Sequence, residues 1–149
     1  MKIQFLGAAK EVTGSKHLIT TDKGTTILLD CGMYQGKGME TDQANRELGF
    51  DPKDIHYLLL SHAHIDHSGL IPYIYSLGFR GKIYCTPATR DLCQLMLQDT
   101  AFIQEQDVRW YNKKMDRQNK PKIKPLFDMS HAQQVMKLFH TVDYDTAYR

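Results

Sequence analysis

The chain has 149 residues, 42% of them hydrophobic, which is enough to bury the core of a single domain. Its 19 Lys and Arg against 17 Asp and Glu leave a net charge of +2, which excludes a protein that binds nucleic acid through overall positive charge alone. The chain has no apolar run of about 18 residues and no export signal, and its 3 cysteines lack a paired spacing, so a cytoplasmic protein without a membrane partner is predicted.

Alternating apolar residues at the start of the chain predict β structure. Residues 2–6 form the first strand, and residues 16–21 and 25–29 predict a hairpin whose turn contains Gly24. The glycine-rich residues 31–38 cannot support a regular element of any length and predict a loop. A polar stretch that suits a helix follows this loop.

The middle of the chain alternates strands and helices. Residues 56–60 predict a short buried strand, and residues 68–77 carry apolar side chains at helical spacing with Gly78 as the C-terminal cap. Residues 82–85 predict another strand. Thr86 is then placed as the N-cap of a long helix.

The last third of the chain is polar and basic. Residues 105–124 hold seven Lys or Arg against three acids, with Trp110 among the cations. This pattern fits RNA binding by stacking and phosphate contact, but a solvated helix face that buries Trp110 is favoured. Ser130 and Gln133 predict a capping box for a last helix that runs to about residue 139.

A histidine-rich segment, residues 61–67, directly follows the buried strand. Side chains two residues apart in extended backbone point to the same side, so His62 and His64 are predicted to hold one metal ion together. Asp66 and His67, beyond the turn, are predicted to hold a second ion. Two cations about 3.5–4 Å apart activate a hydroxide, which indicates hydrolysis. An exposed histidine loop without metal is disfavoured, because the expected strand-loop-helix context is also predicted.

Other polar residues carry less specific signals. Asp30 ends a strand and can orient a ligating imidazole, although a turn-capping aspartate fits its position equally well. His17 and His56 are predicted to be ordinary half-buried histidines. His131 and His140 flank the last helix and are predicted to be capping or surface residues.

Four segments, in this order, together resemble the β-CASP branch of the metallo-β-lactamase superfamily, the group that includes the cleavage-and-polyadenylation-factor nuclease. They are Gly7-Ala8-Ala9 with Glu11-Val12-Thr13-Gly14-Ser15, Leu29-Asp30-Cys31-Gly32-Met33-Tyr34-Gln35-Gly36, residues 61–69, and Thr86-Pro87-Ala88-Thr89-Arg90-Asp91-Leu92. The resemblance implies an α/β fold, the four-layer αββα sandwich, with two zinc ions and hydrolysis of RNA phosphodiester bonds.

The resemblance also implies roles for individual residues. His62 and His64 match the positions that hold one zinc, Asp66 and His67 those that hold the other, and Asp30 one that supports the site, so Asp66 and Asp30 are the expected catalytic residues. The family's remaining ligands and its inserted β-CASP domain have no counterpart in these 149 residues. We therefore expect the N-terminal part of a metallo-β-lactamase domain, inactive alone and with apolar surface left open.

Two other functions stay open at this point. A thioester or lactam hydrolase would use the same motif on a small molecule, and a non-catalytic subunit would scaffold an RNA-processing complex. The segments around Thr13 and Asp30 argue against the first, and the intact histidine motif argues against the second. RNA is the expected partner, while endonuclease or exonuclease action and a homodimeric state are left open.

Overall fold

The computed structural model describes residues 1–36, 38–119 and 121–148. Within them, one mixed sheet takes its strands in chain order. The first three strands pair antiparallel, and each later strand adds parallel to the one before it. The strands are β1 (Lys2–Phe5), β2 (His17–Thr20), β3 (Thr26–Leu29), β4 (Tyr57–Leu59), β5 (Lys82–Cys85) and β6 (Phe139–Thr141).

Helices connect the parallel strands, as a parallel pairing requires a crossover. The longest, α4, has 30 residues, and it begins where the Thr86 side chain accepts a hydrogen bond from the Thr89 N–H and Pro87 takes the first helical position. The helices are α1 (Gly38–Arg46), α2 (Ile65–Ser68), α3 (Ile71–Ser76), α4 (Pro87–Asp116) and α5 (Met129–Val135). No helix in the described ranges is both long and apolar enough to cross a membrane.

The two faces of the sheet differ in burial. Leu28, Leu58 and Ile83 are paired in register and fully buried, because α3, α4 and α5 cover that face. On the other face, Phe5 is 70% exposed and Leu59 is 40% exposed. The sheet therefore has one covered face and one open apolar face.

The hairpin, the strands before and after the histidine segment, and the start of α4 agree with the prediction. The helix predicted over residues 68–77 is shorter, Ile71–Ser76, because the Leu70 N–H donates to the Cys31 carbonyl at 2.9 Å and so separates this helix from the turn of α2. Pro72 then lies in the first turn of α3, where its missing N–H costs nothing. Gly78 ends α3 with φ of 107°, as predicted.

The last helix begins differently from the prediction. Asp128, not Ser130, is its N-cap: the Asp128 carboxylate accepts from the His131 N–H at 2.9 Å, and the His131 ring accepts from the Asp128 N–H. The helix also ends earlier than expected, because Phe139 begins β6 and pairs with Ile83. The sequence did not predict β6, because three residues are too few to show the alternation of apolar and polar side chains that marks a strand. This strand depends on pairing with β5.

Trp110 is a further correction, because it is 68% exposed and not buried as predicted. The neighbouring side of α4 contacts the rest of the chain instead. Met115 is buried there, and the Asn112 amide exchanges hydrogen bonds with the backbone of Ile123 at 2.8 and 2.9 Å. The chain after the helix thus folds back along a face that leaves the indole ring in solvent.

The capping assignment is testable by a pair of substitutions. Asp128→Ala removes the acceptor for the first turn of α5 and is expected to lower the free energy of unfolding by about 1 kcal/mol. Ser130→Ala loses only an exposed bond from Gln134 and is expected to cost a few tenths of a kcal/mol, on the order of one surface helix pair. Urea denaturation of both variants measures the difference; equal losses would contradict the assignment.

Candidate metal centre

The histidine segment is held by two loops that belong to other parts of the sheet. One loop follows β1 and the other follows β3, and both reach the single turn of α2. That turn has successive carbonyl groups that a longer helix would bond internally. Three backbone N–H groups donate to them: Ser15 to Asp66 at 2.9 Å, Cys31 to His67 at 2.8 Å and Met33 to Ile65 at 3.0 Å.

Gly32 is where this contact is tightest. A Cβ atom at this position would lie 1.6 Å from the carbonyl oxygen of Asp66, so no other residue fits without moving the helical turn. Its N–H donates to the Ser15 carbonyl at 2.8 Å, which joins the two loops to each other. Position 32 therefore requires glycine, because the loop backbone passes so close to the backbone of Asp66.

Lys16 is a residue that sequence analysis did not single out. It is fully buried, and its Nζ donates to the carbonyls of Gly14 at 3.1 Å and Gly32 at 3.0 Å, one in each loop. The ammonium also lies 4.2 Å from the centroid of the Tyr34 ring. Burial lowers the pKa of Lys16, while the nearby Cys31 and Glu11 partly oppose this effect. Its position directly after the segment that ends at Ser15, one of those that carry the family resemblance, was the available signal.

Asp30 lies at the centre of the polar contacts. Its backbone adopts φ of 58°, and its carboxylate is buried at the end of β3. It accepts hydrogen bonds from Ser15 Oγ at 3.2 Å, from Ser61 N at 2.8 Å and Ser61 Oγ at 3.0 Å, and lies 2.8 Å from His67 Nδ1. The contact with His67 is the kind predicted for a carboxylate that orients a ligating imidazole.

The imidazoles of the segment lie together. The ring centroid of His62 is 4.8 Å from that of His64 and 4.0 Å from that of His67. Because a carboxylate only accepts, His67 donates its Nδ1 proton to Asp30, and in the neutral ring Nε2 then presents a lone pair. That nitrogen lies 3.5 Å from Asp66 Oδ2. In this neutral form the Nε2 lone pair and the Asp66 carboxylate face each other, which is an arrangement that suits a cation between them.

Electrostatics favour the neutral, ligating form of His62. Burial lowers its pKa, and the neighbouring His67 and His64 lower it further, against the opposing carboxylates of Asp30 and Asp66. A metal competes with protons for the same nitrogen, so a lowered pKa favours metal binding at neutral pH.

The donor chemistry fits zinc, which takes imidazole nitrogens and carboxylate oxygens. Within residues 1–36, 38–119 and 121–148, no three His, Cys, Asp or Glu side chains are arranged to hold one ion together. The predicted assignment needs only pairs from this segment, with His62 and His64 on one ion and Asp66 and His67 on the other. These assignments stay a prediction.

The other histidines lie apart from this cluster. His131 is the capping residue described above, and His140 is half-buried in β6. His17 is half-buried as expected, with a Nδ1 atom that has no partner among the described residues. His56 is exposed, not half-buried as predicted, and its Nδ1 accepts from the Thr26 N–H at 3.2 Å. None of the four joins the cluster in the part of the chain that is described.

At all three cysteines, burial disfavours the thiolate, which is the form in which cysteine binds metal. Burial raises the pKa of Cys31 to about 12, of Cys85 to about 11 and of Cys93 to about 12. Cys31 lies in the loop beside the histidines, but its thiol stays protonated at neutral pH. Its contribution there is the backbone N–H that bonds to His67.

The mixed sheet, with an HxHxDH segment at the carboxyl end of a parallel strand, defines a domain of the metallo-hydrolase type. The sequence profile of the Metallo-beta-lactamase superfamily matches residues 12–132, and the chain belongs to this superfamily. The predicted superfamily and α/β fold class are thereby confirmed. The sheet with helices against one face corresponds to the first part of the expected sandwich.

Three curated relatives match part of the chain. Ribonuclease TTHA0252 of Thermus thermophilus is 44% identical over 71% of this chain and 24% of its own length. Transcription termination factor FttA of Methanosarcina mazei is 37% identical over 66% of this chain and 16% of its own. Endoribonuclease ysh1 of Aspergillus fumigatus is 37% identical over 66% and 11%. The chain thus spans a quarter or less of the length of these relatives.

The contact at Gly32 leads to a stability prediction. Gly32→Ala is expected to lower the free energy of unfolding by about 3 kcal/mol, because the added methyl group meets backbone and not a flexible side chain. Gly24→Ala is the control: that turn glycine has φ of 81° but open space around it, so only backbone strain of about 1 kcal/mol is expected. Thermal or urea unfolding measures both, and an equal loss in the two variants would count against the close approach.

The buried ammonium leads to a pH prediction. Lys16→Met leaves two carbonyls without a donor and is expected to cost about 2 kcal/mol. The folded state lowers the pKa of Lys16 below its ordinary 10.5, so between these two values the unfolded chain binds more protons. Wild-type stability should therefore rise relative to Lys16→Met as pH increases towards 10.5. Urea unfolding at several pH values tests this, with exposed Lys2→Met as the control; a constant difference would contradict it.

Proposed function

We propose that this chain is the N-terminal part of a two-zinc ribonuclease of the β-CASP branch. The observation that carries the proposal is the cluster of His62, His64, Asp66 and His67 beside the buried Asp30 carboxylate. RNA as the substrate is supported by relatives named ribonuclease and endoribonuclease. Those names favour RNA over the small-molecule substrates and the scaffold role that the motif alone left open.

In this proposal His62 and His64 hold one zinc and Asp66 and His67 the other. When bound, the zinc ions supply a low-pKa hydroxide and positive charge for the phosphodiester oxygens. The chain's own contribution is orientation. Asp30 holds the proton of His67 on Nδ1, which keeps Nε2 free, and Ser15 and Ser61 hold Asp30. Asp66 and Asp30 are thus the proposed catalytic residues, the first as a ligand and the second through His67.

The rest of the active site is proposed to come from further chain. Support comes from the coverage of the relatives and from the open sheet face, where Phe5, Leu29, Leu59 and Tyr84 lie on one side of paired strands. A second sheet from the same protein would cover this face and complete the ligand sets. The 149 residues alone are then inactive. The cytoplasmic location stays a prediction, while the homodimer and the choice between internal and terminal cleavage stay open.

The experiment is cleavage of end-labelled single-stranded RNA by the longer protein that contains this chain, with zinc content measured in parallel. His64→Ala and Asp66→Ala are expected to abolish cleavage and to reduce bound zinc, and the far-ultraviolet circular dichroism should be unchanged. His56→Ala is the matched control, because this exposed histidine contacts Thr26 through its ring and lies apart from the cluster. Activity retained in both ligand variants would sink the mechanism, as would a fully active protein that holds no zinc.

A further inference from the structure

The last two turns of α4 present an exposed aromatic and basic surface. Trp110, Lys113, Lys114 and Arg117, here called the Trp110 stripe, recur at the spacing that places side chains on one helix face. Trp110 is 68% exposed, and the three cations are also exposed. The same four residues line a surface recess of about 380 Å³.

The cations of the Trp110 stripe are available to a ligand. Nearby basic residues are paired: Arg109 lies 3.6 Å from Glu105, and Lys122 lies 2.9 Å from Asp116. Among the residues described, no carboxylate lies within 4.0 Å of the stripe's own charged nitrogens. Lys114 Nζ instead lies 5.8 Å from the centroid of the Trp110 ring.

Helix stability explains only part of this arrangement. Lys113 and Lys114 in the last turn interact favourably with the helix dipole, as cations at any helix C-terminus do. That effect needs no tryptophan, and leaving an indole in water forgoes the burial that aromatic side chains usually gain. An exposed aromatic ring bordered by unpaired cations is the combination that binds single-stranded nucleic acid, by base stacking and phosphate contact.

We propose that the Trp110 stripe is an RNA-docking surface separate from the metal centre. From Trp110 to Arg117 the stripe extends ~10 Å along α4, which suits one stacked base and its neighbouring phosphates. It lies ~35 Å along the helix from Pro87, whose end of α4 follows β5 at the sheet edge of the histidine segment. The surface binds the RNA strand away from the bond that is cut. This proposal rests on the proposed function for its ligand class.

The chain offers a direct probe of this surface, because Trp110 is its 1 tryptophan. We expect a ten-nucleotide uridine RNA, added in EDTA so that no cleavage occurs, to quench the fluorescence of the 149-residue chain with saturation. Three contacted phosphates predict a slope of about −2 for the logarithm of the binding constant against that of salt concentration. Lys113→Ala with Lys114→Ala should bring the slope to about −0.7, since one contact remains. The matched control, Lys2→Ala with Lys23→Ala, removes two exposed charges elsewhere and should leave it unchanged.

Stacking is tested separately from charge. By anisotropy of fluorescein-labelled RNA, Trp110→Ala is expected to weaken binding on the order of tenfold, and Trp110→Phe to restore most of the loss. Poly-L-glutamate, which has charge but no bases, should quench far less than RNA. Equal quenching by both polymers would overturn the proposal, as would an unchanged affinity in Trp110→Ala. Circular dichroism of each variant verifies that these surface changes leave the fold intact.

Cleavage kinetics in the longer protein separate this proposal from the proposed function. If the nuclease is active, Lys113→Ala with Lys114→Ala should raise KM several-fold with little change in kcat, because the stripe lies away from the reacting bond. Quenching by RNA without any nuclease activity would support the docking surface and refute the nuclease. An active nuclease with unchanged KM, together with no quenching, would refute the docking surface alone.

Discussion

The candidate metal centre depends on a backbone contact, namely the docking of two loops onto the single turn of α2. A one-turn helix has more unsatisfied carbonyls than internal hydrogen bonds, so it needs outside donors. The N–H groups of Ser15, Cys31 and Met33 supply them, and the fit requires Gly32 because no Cβ has room against Asp66. Strands β1 and β3 therefore have to end where they do for the histidine segment to keep its shape.

The polar side chains follow from that docking. Once the loop after β3 is placed, Asp30 is buried beside His67, and hydroxyls from Ser15 and Ser61 satisfy its carboxylate. Lys16 links the carbonyls of both loops. Both carboxylate oxygens of Asp30 are hydrogen-bonded, and the contact with Asp30 holds the His67 ring in one tautomer. Groups fixed in this way require little rearrangement when a cation binds. The candidate centre is thus largely arranged by groups other than its proposed ligands.

The fold distributes its apolar surface unevenly, and this bears on function. Helices bury the middle of one sheet face, whereas Phe5 and Leu59 on the other remain exposed. Large open apolar faces usually mark a place where something else packs, and the short coverage of the relatives is consistent with further chain. The Trp110 stripe differs in kind, because charge surrounds its aromatic ring. The open sheet face suits packing by another sheet, whereas the Trp110 stripe suits a polyanion.

The sequence alone determined the local features: the hairpin with Gly24 in its turn, the strand before the histidines, the Thr86 cap of α4, and the proximity of three imidazoles within six residues. Each depends on neighbours in the chain, so spacing and residue type suffice.

Tertiary structure decided the rest. Leu70 left the helix for a carbonyl of a distant loop, and β6 formed only by pairing with β5. Trp110 stayed largely in solvent because residues 123–126 bond to Asn112 and Gln104 beside it and do not cover its ring. These outcomes depend on contacts between segments far apart in sequence, whose energies no local pattern encodes.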